Sequence, residues 1–225
     1  MFANITALFF DLDGTLVDSV PDLTTAVNSM LQQLNLPARQ EAIVRTWVGN
    51  GVDNLIHRAL TNDMAGHADP ALFACAKPLY KAAYARHVSV YSRLYPGVRE
   101  GLTELQAAGF PMACVTNKPL EFSRPLLADL GIGHFFTTVV GGECVLHPKP
   151  APDPLLLCAE RLGVPITQSL MIGDSLNDVG AARHAGCQVV CVPYGYNHGH
   201  DIREARPDAV IDSIADLPRL LRGAD

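Results

Sequence analysis

Short apolar runs of strand length alternate with amphipathic segments along most of the chain. The runs are almost continuously apolar, as expected for parallel strands covered on both faces, and they occupy residues 5–10, 112–116, 137–140, 169–173, 188–192 and 208–211. Helical patterns lie between them near residues 98–108, 120–130, 153–162, 176–185 and 213–222. Glycines, which are common just after helices, follow four of these patterns at positions 109, 131, 163 and 186. The alternation predicts an α/β fold with a doubly wound parallel sheet.

One long segment interrupts this alternation. It contains no convincing strand, and its helical patterns lie near residues 22–34, 38–47, 52–60 and 71–89. The turn sequence YPGV, residues 95–98, then reopens the α/β pattern. We therefore predict a Rossmann-like core domain, residues 1–17 and 92–225, and an all-helical cap domain, residues 18–91, inserted after the first strand.

Composition narrows the class of protein. The 225 residues are 48% hydrophobic and 18% charged, with a formal net charge of −6, which argues against nucleic acid or an anionic membrane as a partner. No apolar run approaches the ~18 residues that span a bilayer, and the N-terminus lacks a basic leader. The six cysteines form no C-x-x-C pair. We expect a cytoplasmic enzyme that is a monomer or a small homo-oligomer.

Polar residues collect at the predicted carboxyl ends of the strands, where open α/β sheets bind ligands. They are Asp11, Asp13, Thr116, Asn117, Lys149, Asp174 and Asp178. Two acids after a strand are, on their own, more often turn formers. A third acid at the same edge favours a hard divalent cation, because Mg²⁺ prefers oxygen ligands. Lys149 and the pair Thr116–Asn117 suit the oxygens of a phosphoryl group, whereas we expect Lys118 to be a solvent-exposed loop residue.

Four motifs occur in the order DLDGT, VTN, KPAP and GDSLND. As a set they resemble the haloacid dehalogenase (HAD) superfamily, in its phosphatase branch with a helical cap. The resemblance implies that Asp11 is a nucleophile that accepts the phosphoryl group. It also implies that Asp13 protonates the leaving oxygen and later deprotonates water. Mg²⁺ would be held by Asp11, the backbone carbonyl of Asp13 and Asp174.

The same resemblance assigns the remaining polar residues. Thr116 and Lys149 would bind the transferred phosphoryl group, with Lys149 also orienting Asp11. Asp178 would support the waters on the metal. The substrate would then be a small-molecule phosphate ester.

Two further stretches bear on the substrate. WVGNGVDNLI (47–56) and YGYNHGHDI (194–202) resemble phosphoglycolate phosphatases, which implies hydrolysis of 2-phosphoglycolate. Arg45 is a candidate partner for the substrate carboxylate, and Asn50 lies in a glycine-flanked loop that could enter the pocket. The alternatives are a phosphatase for N-acetylmuramate 6-phosphate or another sugar phosphate, a phosphomutase of the same fold, and a non-catalytic module that binds a phosphorylated metabolite.

Overall fold

Two sheets organise the chain. The computed structural model describes residue 2 and residues 4–222. The strands within these residues are β1 (Ala7–Phe10), β2 (Val17–Asp18), β3 (Arg93–Leu94), β4 (Met112–Val115), β5 (Thr138–Val140), β6 (Ser169–Gly173), β7 (Gln188–Cys191) and β8 (Ala209–Val210). Six of them form a parallel sheet in the order β5-β4-β1-β6-β7-β8. The predicted α/β class with a parallel sheet is confirmed.

Helices fill the connections between the strands. They are α1 (Val20–Gln33), α2 (Glu41–Trp47), α3 (Val52–Thr61), α4 (Pro70–Ala85), α5 (Val98–Ala107), α6 (Leu120–Asp129), α7 (Asp153–Leu162), α8 (Leu176–Ala185) and α9 (Leu217–Arg222). The four glycines predicted to follow helices all have left-handed φ angles between 66° and 83°. Among the described residues, no helix is both long enough and apolar enough to cross a membrane.

Strand β1 lies at the centre of the sheet and divides the core into two layers. Its side chains alternate between the faces, so Leu8 and Phe10 join one hydrophobic cluster while Ala7 and Phe9 join the other. All four residues are fully buried. Because helices cover both faces of the strand, its end is rigidly positioned for the residues that follow it.

The four helices α1–α4 lie between β2 and β3, which pair antiparallel with Val17 opposite Leu94. Buried residues of these helices share one hydrophobic cluster with Leu8 and Phe10 of β1. The Asp22 carboxylate accepts hydrogen bonds from the backbone N–H groups of Tyr91 and Ser92 and from the Ser92 hydroxyl. We retain the division into a core and a helical cap, residues 18–91, as a proposal.

Some boundaries differ from the sequence prediction. The strands β2 and β3 were not predicted, because two residues are too few to show an alternating pattern. The helix predicted over 71–89 ends at Ala85, and the last predicted helix divides into a 3-10 turn, Ile214–Asp216, followed by α9.

Candidate active site

The carboxyl ends of three neighbouring strands bring the predicted polar residues to one edge of the sheet. Strand β1 lies between β4 and β6. Asp11 extends β1 by donating its backbone N–H to the Ile172 carbonyl oxygen at 2.9 Å, and Thr116 extends β4 by donating to Val140 at 2.9 Å. Asp174 directly follows β6. The residues after these strands therefore meet at the edge where α/β sheets bind ligands.

Lys149 forms the buried cationic centre of this edge. Its Nζ lies 2.8 Å from Asp11 Oδ1 and 2.6 Å from Asp178 Oδ1, and it donates to the Val115 carbonyl oxygen at 2.8 Å. Burial opposes the charge on Lys149, but the two carboxylates outweigh this effect and raise its pKa. The ammonium group therefore stays protonated at neutral pH.

The Asn117 side chain fixes the loop that carries Lys149. Its Oδ1 accepts from the Lys149 backbone N–H at 2.9 Å, and its Nδ2 donates to the carbonyl oxygens of Lys149 and Gly49, each at 2.9 Å. These contacts use both N–H groups of the side-chain amide, so the phosphate-binding role predicted for Asn117 would fall to its backbone N–H. The backbone N–H of Asn117 has no acceptor among the described residues.

Asp174 is held in place by backbone and side-chain donors. Thr15 Oγ1 donates to its Oδ1 at 2.7 Å, and the Tyr196 backbone N–H donates to its Oδ2 at 2.6 Å. Gly14 and Gly195 both approach so closely that a Cβ atom at either position would overlap the Asp174 carboxylate. Side chains are thus excluded from both sides of this acid, which leaves its position fixed by the surrounding backbone.

Asp178 orders the turn that starts α8. Its Oδ2 accepts hydrogen bonds from the backbone N–H groups of Asp174 and Ser175 and from the Ser175 hydroxyl, while its Oδ1 contacts Lys149. Carboxylates at this position also interact favourably with the positive end of a helix. In the structure Asp178 therefore connects the Lys149 ammonium group to the loop that carries Asp174.

Three buried carboxylates could hold a metal ion. Asp11, Asp174 and Asp178 each offer an oxygen, and these oxygens lie within 4.8 Å of one another. Burial raises the pKa of Asp11 to about 7, although the nearby charge of Lys149 acts in the opposite direction. The pKa of Asp174 is also raised, mainly by burial and further by the negative charges of Asp178 and Asp11. A hard divalent cation would offset both the desolvation and the repulsion, so this set of donors fits such an ion.

Lys118 is a site residue that the sequence analysis missed. It was expected in solvent, but its side chain is only 4% exposed and its Nζ lies 2.9 Å from both oxygens of Asp13. The ammonium group also lies 4.9 Å from the ring centroid of Tyr84. The available signal was its place in the VTNKP stretch, immediately after Thr116 and Asn117 at the end of a strand.

A cavity lies above this edge, between the sheet and the helices α1, α3 and α4. Its empty volume, including the open mouth, is about 520 Å³. The sheet supplies a polar floor that contains Asp11, Asp13, Thr116, Lys118 and Lys149. The helical segment supplies a mostly apolar roof that contains Leu23, Val48, Val52, Leu55, Tyr80 and Tyr84.

The two residues expected to recognise substrate from the helical segment are placed differently. Arg45 does not line the cavity, because its guanidinium is held by Asp18 at 3.1 Å and Glu41 at 3.2 Å. The structure therefore does not bring Arg45 to the site. Asn50 lies at the rim, where its Oδ1 accepts from Arg58 at 2.9 Å and its neighbours Gly49 and Gly51 line the cavity.

Comparison with known proteins identifies the family. A family model for haloacid dehalogenase-like hydrolases matches residues 5–186. A phosphoglycolate phosphatase of Nitrosococcus oceani is 49% identical over 217 residues, covering 96% of this chain and 96% of the relative. A phosphoglycolate phosphatase of Thiobacillus denitrificans is 46% identical over 220 residues, covering 98% of this chain and 97% of the relative.

Solved structures agree with this result. A protein from Haemophilus somnus 129PT, described as a predicted phosphoglycolate phosphatase, superposes with a TM-score of 0.91 at 39% identity, over 97% of this chain and 98% of that one. CbbY from Rhodobacter sphaeroides, solved in complex with phosphate, superposes with a TM-score of 0.78 at 26% identity, over 95% of this chain and 96% of that one. The family predicted from the four motifs is confirmed: the chain belongs to the haloacid dehalogenase-like hydrolases.

Proposed function

We propose that this protein is a phosphatase that hydrolyses 2-phosphoglycolate to glycolate and phosphate through a covalent aspartyl-phosphate. The observation that carries the proposal is the buried contact of 2.8 Å between Lys149 Nζ and Asp11 Oδ1 on the floor of a small cavity. Relatives up to 49% identical to this chain are named phosphoglycolate phosphatases, which supports the choice of substrate.

The first half of the reaction transfers the phosphoryl group to Asp11. One carboxylate oxygen attacks phosphorus as the bond to the ester oxygen breaks, and Asp13 gives its proton to the departing glycolate oxygen. Lys149, the Thr116 hydroxyl and the Asn117 backbone N–H are proposed to bind the phosphoryl oxygens and stabilise their charge. In the second half, Asp13 removes a proton from the water that attacks phosphorus, and the bond between Asp11 and phosphorus breaks, which releases phosphate and restores the carboxylate.

We propose Mg²⁺ as the cofactor, held by Asp11, Asp174 and the backbone carbonyl of Asp13. When bound, the ion would neutralise phosphoryl charge and reduce the repulsion between the substrate and the carboxylate of Asp11. Asp178 maintains the site by bonding to Lys149 and to the Asp174–Ser175 turn, consistent with the supporting role expected of it. Its Oδ2 already accepts three hydrogen bonds, which makes it a weaker candidate for a direct ligand than Asp174.

The lining of the cavity favours a small substrate over the alternatives. Its roof is largely apolar, and the Tyr80 and Tyr84 hydroxyls are too few hydrogen-bonding groups for a sugar ring. A sugar-phosphate phosphatase or a phosphomutase would have to hold a polyhydroxylated ring at this roof. A purely binding module has no need of the Lys149–Asp11 pair beside a second buried acid, because that arrangement is costly to fold.

The proposal is tested by phosphate release with Mg²⁺ from 2-phosphoglycolate, N-acetylmuramate 6-phosphate and other small esters. We expect 2-phosphoglycolate to have the highest kcat/KM, and Asp11→Asn to lower kcat by about 10⁴-fold or more, because the nucleophile is lost. Asp212→Asn is the matched control, since Asp212 is exposed and its side chain makes no hydrogen bond or ion pair within the described residues.

Three results would contradict the proposal in different ways. A kcat/KM for N-acetylmuramate 6-phosphate more than about tenfold higher would make the protein a sugar phosphatase. Transfer of the phosphoryl group to a second hydroxyl of the substrate, without phosphate release, would make it a mutase. Tight binding with no turnover of any ester would make it a binding module.

We also propose that the protein works in the cytoplasm. Cys114, Cys158, Cys187 and Cys191 are buried as free thiols, and burial raises the pKa of each. Such thiols act as small hydrophobic residues, which supports a reducing compartment.

A further inference from the structure

Two tyrosines on the roof of the cavity have unpartnered hydroxyl groups. Tyr80 and Tyr84 lie one turn apart on α4, both fully buried and both lining the cavity. Their rings stack with centroids 5.9 Å apart. Within the described residues, neither hydroxyl oxygen has a hydrogen-bond partner. Buried hydroxyl groups are nearly always paired, and of the four without a partner in the described residues only these two belong to residues that line the cavity. A ligand of the cavity is therefore the candidate acceptor for them.

A cation lies beside these hydroxyl groups. Lys118 Nζ is 4.9 Å from the centroid of the Tyr84 ring, and the Lys118 side chain is nearly fully buried. Asp13 is its carboxylate partner, which leaves Lys118 with spare donor capacity for a second anion. Burial raises the pKa of Tyr80 and of Tyr84, so both hydroxyls remain donors at the pH of any enzyme assay.

The N-terminus of α3 adds a third element that attracts anions. The Gly49-Asn50-Gly51 loop runs into this ten-residue helix, and Gly49, Gly51 and Val52 line the cavity. Gly51 has a φ of 85° and supplies no side chain to cap the helix. The first backbone N–H groups of α3 are therefore left for another acceptor, and the positive end of the helix favours a negative one.

We propose that Tyr80, Tyr84 and Lys118, together with the N-terminus of α3, bind the carboxylate of the substrate and so determine its specificity. The inference rests on the proposed function, since it places the second charged group of the same small phosphate ester. In 2-phosphoglycolate the carboxylate carbon is two bonds from the leaving oxygen. A carboxylate beside Lys118 would thus lie next to Asp13, the acid proposed to protonate that oxygen.

This arrangement also supplies a carboxylate-binding group in place of Arg45, which does not line the cavity. The carboxylate is met by two neutral donors and by one lysine whose charge is already shared with Asp13. Such a site discriminates between substrates, because a substrate that lacks the carboxylate leaves the buried hydroxyls of Tyr80 and Tyr84 without acceptors, and unpaired buried donors are unfavourable. The subsite therefore disfavours phosphate esters that lack a carboxylate, in addition to binding 2-phosphoglycolate.

The test compares 2-phosphoglycolate with 2-hydroxyethyl phosphate, which keeps the phosphate ester but lacks the carboxylate. The measured quantity is the ratio of their kcat/KM values in the wild-type protein, Tyr80→Phe and Tyr84→Phe. We expect each substitution to lower this ratio by about 10- to 100-fold, the effect of one hydrogen bond to a charged group. Tyr91→Phe is the matched control, because Tyr91 is 57% exposed and lies outside the cavity.

Thermal unfolding without substrate gives a second readout. Because both hydroxyls are unpartnered, Tyr80→Phe and Tyr84→Phe should leave Tm unchanged or raise it. Variants that fail to fold would overturn the inference, since the hydroxyls would then be structural. A ratio within threefold of the wild-type value in both variants would also overturn it.

Failure of the proposed function gives a different result. If the wild-type protein does not prefer 2-phosphoglycolate to 2-hydroxyethyl phosphate, the substrate itself is wrong, whatever the variants do. If that preference is strong in the wild-type protein and survives in both variants, the substrate stands and the carboxylate subsite is rejected.

Discussion

At the scale of single residues, the site depends on charges that are buried together. Lys149 Nζ lies between Asp11 and Asp178, with the Lys149 side chain 2% exposed and that of Asp178 fully buried. Burying two carboxylates and one ammonium group is unfavourable, and only their mutual contacts make it tolerable. Removing the cation alone would leave two desolvated acids facing each other.

Replacing Lys149 by methionine should therefore destabilise the fold as well as stop catalysis. For Lys149→Met we expect a loss of about 3–5 kcal/mol in the free energy of unfolding, as when one partner of a buried pair is removed. Lys77→Met removes the exposed contact with Asp53 and should cost less than about 1 kcal/mol. Urea denaturation at pH 7 measures both. Equal losses in the two variants would show that the buried contacts do not hold the site together.

Sequence reasoning located the residues that follow strands and failed where a partner lies far along the chain. Asp11, Thr116 and Asp174 could be proposed because each belongs to a short motif at a predicted strand end, and Lys149 because it belongs to the KPAP motif before a predicted helix. The burial of Lys118 depends on Asp13, 105 positions away, and on the roof of helices above it. The VTNKP stretch places Lys118 near the strand end, but no local pattern shows the contact with Asp13 that buries it.

Arg45 shows the opposite error. It lies on α2 with the charge and reach expected of a carboxylate ligand, but Asp18 and Glu41 already occupy its guanidinium. The contact with Asp18 joins α2 to β2, a strand too short to be predicted. The sequence did not single out Tyr80 or Tyr84, since the lack of partners for their hydroxyls is visible only in the folded chain.

At the scale of elements, the turn after β1 determines how closely the chain beyond Asp11 can approach Asp174, which follows β6. Gly14 has a φ of 94°, and a Cβ atom there would overlap Asp174 across the gap between β1 and β6. Strand pairing aligns the carboxyl ends, but only a residue without a side chain lets the turn and the acid come this close.

Gly14→Ala should thus combine backbone strain with displacement of Asp174. Gly109→Ala is a matched control, because its φ is 83° and a Cβ atom there meets nothing within 4 Å. We expect Gly109→Ala to lower stability by about 1 kcal/mol from strain alone, and activity to persist. Gly14→Ala should be less stable than this control and lose at least about tenfold in kcat/KM with Mg²⁺. Equal activity in both variants would mean that the close approach is not needed.

At the scale of the whole molecule, the acidic site makes the metal-free fold sensitive to pH. Burial raises the pKa of Asp11 from 3.8 to about 7. Folding thus favours its protonated form, so its contribution to stability is complete below pH 4 and is lost as the pH rises through 7. Binding of a cation reverses this dependence, because the ligand must be deprotonated.

Unfolding free energies of the wild-type protein and Asp11→Asn, measured in EDTA from pH 4 to 8, isolate this group. We expect the wild-type protein to lose stability relative to the variant as the pH rises to 7. Mg²⁺ added in place of EDTA should stabilise the wild-type protein more at pH 8 than at pH 5, and the variant much less. A stabilisation by Mg²⁺ that is the same at both pH values would contradict this prediction.

The Asp22 carboxylate, which accepts hydrogen bonds from Tyr91 and Ser92, has a consequence for how such a protein can change in evolution. It fastens the entry and exit of the helical insertion to each other, just outside the paired strands β2 and β3. The ends of the insertion stay together whatever lies between them, and doubling the length of a flexible loop costs only about 0.6 kcal/mol. Helices can therefore be added, shortened or exchanged within the insertion while Asp11, Lys149 and Asp174 keep their positions. Changes in the helical roof of the cavity can therefore alter substrate specificity while the residues on the floor stay the same.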